Sequence, residues 1–192
     1  MEELGGFSTA QIALAVAATL GAAFIRGLTG FGFGILLVPV LALALTPVEA
    51  VLSINIMAGL LALTEIRVIL REAERSALTI GALVVAATAP GLILLDATPP
   101  DLARLLIALI ALSAFAAVLA PRRGPEQPGA ATTAAVGVSA GLLTGFAAMP
   151  GPPVVPYYVG RDIPRVTAKA SMIGIFGLAA MAGIGSGAAI DV

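Results

Sequence analysis

Inside this strongly apolar chain only a few polar side chains are placed to meet a ligand: Arg26, Thr29, Asn55, Thr144, Lys169 and Ser171. Two are cations and four are neutral hydrogen-bonding groups, a set suited to attracting and solvating an anion rather than to breaking bonds. The 192 residues include no His and no Cys. That removes the commonest general base, the commonest transition-metal ligand and all thiolate chemistry. A metalloprotease needs His-bearing metal motifs and a serine dyad usually needs His, so an intramembrane enzyme is not expected, and neither is any cofactor. No cluster of Asp and Glu suggests a metal or sodium site. Glu49 and Glu65 are the acids closest to the interior of apolar segments. Either could couple a proton to anion movement; equally, Glu49 suits a capping box and Glu65 an interfacial pair with Arg67.

Around these residues the chain repeats itself. Thr29-Gly30-Phe31 matches Thr144-Gly145-Phe146. With two residues inserted, Gly34 matches Gly151, Pro39 matches Pro156 and Pro47 matches Pro164. The first copy adds Gly32 and the second adds Pro150. Paired Gly/Pro interruptions in corresponding halves of an apolar chain point to the substrate site of a secondary transporter. In that reading a broken helix turns its first N–H groups toward an anion, and glycine lets the anion approach the backbone. The alternative is close helix packing of the small-xxx-small kind. Thr29 and Thr144 either donate to substrate or bond back to the preceding turn. Asn55 either binds ligand or joins two helices, and Ser171 stands at the nearly matching place in the other half. Arg26 either draws in an anion or snorkels to the interface, and so does Lys169.

The elements that must position these residues are helices in a membrane. Hydrophobic residues make up 59% and charged residues 11%, with mean hydropathy +1.08; a soluble domain carries about 25% charged residues. The expected fold is an all-α, polytopic helical membrane protein built from an inverted repeat with broken or re-entrant helices. Apolar segments lie at 9–26, 31–45, 48–67, 76–95, 101–120, 130–148, 150–160 and 166–188. Spanning a bilayer takes about 20 residues, so 31–45 is marginal and 150–160 too short; both follow the repeated motif. Ser8-x-x-Gln11, Thr46-Pro47-Val48-Glu49 and Thr98-Pro99-Pro100-Asp101 resemble helix starts, the last two with Pro at the first helical position. Period-2 alternation is missing, so strands are not expected.

Arg67, Arg71 and Arg75, then Arg122 and Arg123, then Arg161, Arg165 and Lys169 occupy alternate loops. The positive-inside rule makes these cytoplasmic and puts Glu2, Glu3 and the N-terminus outside. Met1-Glu2-Glu3 has no basic run before the apolar segment, so the first segment reads as retained. One transmembrane domain, 1–192, then divides into repeat 1 at 9–120, a polar Pro/Gly-rich cytoplasmic linker at 121–129, and repeat 2 at 130–192. Repeat 2 lacks counterparts of the last two helices of repeat 1. A fragment, a truncated gene, or a short member completed by a homo-oligomer would each explain that.

With both motif copies in view, the chain resembles the sulfite exporter TauE/SafE family, also called the toluene sulfonate uptake permease family. The resemblance rests on Gly27-x-Thr-Gly-Phe-Gly-x-Gly34, Pro39, Thr46-Pro-x-x-Ala50 and Asn55. In the second half it rests on Gly141-x-x-Thr-Gly-Phe146, Pro150-Gly151, Pro156, Pro164-x-x-x-Ala168 and Ser171. It implies a bacterial inner-membrane permease or exporter of sulfite, sulfonates or related organosulfur anions. The implied partners are the small anion and the lipid bilayer, not nucleic acid. A non-transporting scaffold or helper subunit is the competing function.

Overall fold

The computed structural model describes residues 9–119 and 128–190. Glu2, Glu3, Ser8, Arg122, Arg123 and most of the 121–129 linker lie outside the described residues, as does the side chain of Gln11. The described residues form nine helices and no strand: α1 Thr9–Thr29, α2 Phe33–Leu41, α3 Pro47–Thr64, α4 Ile66–Glu72, α5 Arg75–Asp96, α6 Pro100–Leu119, α7 Ala130–Ala147, α8 Gly151–Val159 and α9 Arg165–Ile190. Five of them, α1, α3, α5, α7 and α9, are long and apolar enough to cross a membrane.

Local chemistry explains the boundaries. Thr46 caps α3 with a complete capping box: its hydroxyl accepts from the Glu49 N–H, and the Glu49 carboxylate accepts from the Thr46 N–H at 2.8 Å. Pro47 fills the first helical position, where a missing N–H costs nothing. The start of α6 is different from the expected one. Pro100, not Pro99, opens the helix, and the Thr98 hydroxyl donates back to the Leu94 carbonyl at 2.6 Å. The apolar run at 48–67 also breaks early. Glu65 ends α3 and begins α4, a seven-residue helix with no buried residue that the sequence reading treats only as a basic loop. The two short helices each contain a proline, Pro39 and Pro156, and each is nine residues long. At about 1.5 Å per residue such a helix crosses less than half of the hydrocarbon core.

Glycine seams hold the long helices together. On α7, Gly137, Gly141 and Gly145 repeat every four residues and lie against α5. A Cβ at Gly137 would meet the Leu83 Cβ at 2.6 Å; one at Gly141 would meet the Val84 carbonyl at 2.6 Å; one at Gly145 would collide with the Thr88 carbonyl. Such close backbone approach compensates for the weak hydrophobic drive between helices in lipid. A second seam joins α3 to α9 antiparallel, pairing Leu52 with Gly187, Asn55 with Gly183, and Ala62 with Gly177. Large apolar side chains such as Leu20, Phe24, Leu28, Leu78 and Leu112 remain exposed, as lipid-facing residues do.

Gly145→Ala forces a methyl group into the α5 backbone and should destabilise the bundle by about 1–3 kcal/mol. Gly21→Ala, where a Cβ meets nothing within 4 Å, should be neutral or slightly stabilising. Thermal unfolding in detergent measures both. Equal midpoints for the two variants would contradict the seam.

Candidate functional site

The chain reverses between α1 and α2 through Thr29–Gly32. Gly30 (φ 83°) and Gly32 (φ 95°) adopt left-handed backbone, which a side chain would strain. The Thr29 hydroxyl oxygen lies 2.8 Å from the Ile25 carbonyl and 2.9 Å from the Phe31 carbonyl and can donate to either, so it is spent on the turn. Gly32 caps α2 without any side-chain bond. The N–H groups of Phe33, Gly34 and Ile35 consequently have no intrahelical acceptor, and the positive end of the helix dipole gathers there.

The α7–α8 turn comes up against this point. Ala148 (φ 50°) closes α7 in left-handed backbone, and its carbonyl abuts Gly34 so closely that any Cβ there would collide with it. The two copies of the motif thus meet. Between them is a cavity of ≈ 50 Å³ lined by Arg26, Phe31, Gly32, Gly34, Asn55, Met149, Pro150 and Gly151, with Phe176, Ala179 and Ala180 of α9 behind. A single water needs roughly 10–15 Å³ measured in this way, so the cavity suits a few waters or one small oxyanion.

Two side chains give the cavity its polarity. Asn55, halfway along α3, is 3% exposed. Its Nδ2 is, among the described residues, the one buried side-chain polar atom without a hydrogen-bond partner. Arg26 is 11% exposed and donates through Nη2 to Glu65 Oε2 at 3.0 Å. The expected Glu65–Arg67 pair does not form; Glu65 pairs with Arg26, 39 residues away in the chain.

Seven of the fourteen residues singled out from sequence line the cavity: Arg26, Phe31, Gly32, Gly34, Asn55, Pro150 and Gly151. The others support it from outside. Thr144 is fully buried and its hydroxyl bonds back to the Ala140 carbonyl at 2.7 Å. Gly145 packs on α5, and Phe146 is buried in the core. Lys169 lies across Gly30 and donates to the Gly27 carbonyl at 3.1 Å, closing the C-terminal end of α1. Ser171 accepts from the Glu74 N–H at 2.8 Å.

The two half-helix starts are also unequal. The first turn of α8 carries Pro152 and Pro153, which have no N–H to offer. The start of α2 leaves three N–H groups open, whereas the first turn of α8 offers that of Gly151, beside Met149 and Pro150. Sequence reasoning missed Phe176, Ala179 and Ala180; their i, i+3, i+4 spacing shows that they share a face, but not which neighbour that face meets.

Contacts sort the helix ends into two layers. At one, Arg161 forms a two-point pair with Glu74, both bonds 2.9 Å, which raises the Arg161 pKa above its ordinary value. Tyr158 bonds Ser76 and Tyr157 bonds Thr133 beside it. This layer holds the ends of α8 and the starts of α5, α7 and α9. At the other, the Arg104 Nε of α6 donates to the Ala42 carbonyl at the end of α2.

Among families of known proteins, the one described as sulfite exporter TauE/SafE matches residues 14–192. No curated protein and no solved structure matches the chain.

An unpartnered buried amide is a burden to an empty site. Replacing it by an apolar group of similar shape is close to neutral or stabilising, whereas a paired amide would cost about 1–3 kcal/mol. Asn55→Leu should therefore leave the thermal midpoint of the ligand-free protein unchanged or higher. A marked drop would mean that Asn55 has a partner in the protein.

Proposed function

This chain belongs to the sulfite exporter TauE/SafE family, and on that premise we propose that its cavity binds one small sulfur oxyanion, sulfite or a short sulfonate, and passes it across the membrane. The family is one of membrane transporters, not enzymes, and the chain is a multi-pass membrane protein. The observation that carries the reading is that Asn55, whose buried Nδ2 has no partner, lines the same cavity as Arg26 and the open start of α2.

An anion entering the bilayer loses its water. Charge-assisted hydrogen bonds replace it: the N–H groups of Gly34 and Ile35, the Asn55 amide, and the Arg26 guanidinium. Met149, Pro150 and Phe176 line the same cavity and offer no side-chain donor, so the anion is held by a few donors beside apolar groups. Such limited binding is compatible with release, as transport requires. Arg26 and Asn55 thus act as substrate-binding residues, with Gly30, Gly32 and Gly34 shaping the approach. Thr29, Thr144, Gly145, Phe146, Lys169 and Ser171 hold the elements around them.

The layer with Arg161, Glu74 and the Arg26–Glu65 pair is the cytoplasmic one in this reading, with the N-terminus outside and the protein in a bacterial inner membrane. Two features favour an inverted repeat of 9–120 and 130–192. The order long, short, long recurs in α1–α2–α3 and α7–α8–α9, and α3 and α9 pack antiparallel.

Sulfite should raise the unfolding temperature of the wild type in detergent, whereas chloride at equal ionic strength should not. At a concentration of 100 Kd the stabilisation is about 2.7 kcal/mol. Arg26→Gln and Asn55→Leu should each lose most of that response. An undiminished response in both variants would move the site elsewhere. A single Cys at position 98, in a chain with no native Cys, should be labelled from outside; labelling from the cytoplasm alone would overturn the orientation.

A further inference from the structure

We propose that Glu65 is a tethered competitor for the substrate at Arg26, so that the anion and a proton are bound together. The proposal rests on the cavity being the anion site. The Glu65 carboxylate already takes one hydrogen bond from Arg26 and neutralises its charge, with Oε2 3.0 Å from Nη2, so an oxyanion drawn to the same guanidinium competes with it. It is itself an oxyanion tethered to a residue that lines the cavity. Glu65 sits where α3 ends and α4 begins, makes no side-chain cap there, and its side chain is 30% exposed. A residue at such a junction can withdraw toward water without unwinding either helix.

The exchange has an electrostatic consequence. While Glu65 is ionised and paired, an entering anion meets a neutralised Arg26 and a like charge beside it. When the anion takes Arg26, the Glu65 carboxylate is left without its partner against an apolar bundle. One proton added to a Glu65 oxygen removes both penalties; the ion pair is exchanged and no covalent bond other than O–H forms. Release of the anion returns the proton. Anion and proton therefore promote each other's binding by the same factor, and affinity for the anion rises as pH falls.

The surrounding charges leave Glu65 as the carboxylate for this exchange. Arg26 is the charged residue of α1 among the described residues. On α9, Lys169 is held on the Gly27 carbonyl, and Arg165 opens the helix. On α4, Arg67, Arg71 and Glu72 are exposed. Glu49, at the opposite end of α3, is engaged in the Thr46 capping box.

Calorimetric titration with methanesulfonate tests this, because the anion of a strong acid keeps its charge while a carboxylate titrates. Wild type should bind about fivefold or more tighter near pH 5 than near pH 7.5, with about one proton taken up per anion. Glu65→Gln should bind tightly at both values and take up no proton. Arg67→Gln should retain the wild-type profile. Wild-type binding that is independent of pH, or a Glu65→Gln variant with the wild-type dependence, overturns the proposal while leaving the site in place. No saturable binding to wild type overturns the site as well. Should Glu65→Gln fail to fold, the proton count for wild type alone decides.

Discussion

A buried cation needs a partner, and a buried amide needs one almost as much. The structure meets the first demand in part and leaves the second open. The part-buried Arg26 is neutralised by a carboxylate brought from the end of α3, while Asn55, which lines the same cavity, has an Nδ2 without a partner. In the proposed function that imbalance is the source of the cavity's affinity for an anion, and the rest of the fold makes it sustainable. Helices α3 and α9 hold Asn55 in place because Gly183 gives the amide room that a Cβ would remove. The reversal at Gly30 and Gly32 turns the start of α2 toward the same point. Each contribution is a backbone or packing decision made some distance from the ligand.

Short helices inside a bilayer are a liability, because their ends expose backbone groups that lipid cannot satisfy. Here the liability is confined to protein-lined space. The α7–α8 turn presses on Gly34, and the end of α1 is closed by Lys169. The two short helices nevertheless differ in the backbone donors they offer. The α2 start keeps its N–H groups, and the α8 start gives up two of them to Pro152 and Pro153. The two copies of the motif thus lead into short helices with unequal numbers of open N–H groups.

Much of this was readable in the residues. The approximate helix positions followed from apolar runs bounded by Thr-Pro and Gly/Pro pairs, although α6 starts and α3 ends elsewhere than expected, and the Thr46–Glu49 capping box formed as expected because all of its parts lie within four residues. The less legible features depend on distant partners. Gly34 and Gly145 look alike in sequence, yet one faces a turn at the cavity and the other a helix backbone. Glu65 has a cation two residues away and pairs with one 39 residues away. α4 was hidden because seven residues carrying two arginines resemble a loop more than a helix. The prolines of α8 were in plain view; their missing N–H groups distinguish the halves only once α2 and α8 are known to face the same cavity.

Direct localisation of the bound anion bears most closely on this account. Selenite is a heavier analogue of sulfite, and its selenium can be found by anomalous diffraction from crystals of the loaded protein. The account places one selenium between the start of α2 and Asn55, with its oxygens in hydrogen-bond reach of Asn55 Nδ2 and Arg26. A selenium held at the start of α8, or in the Arg161–Glu74 layer with the Asn55 cavity empty, would contradict it.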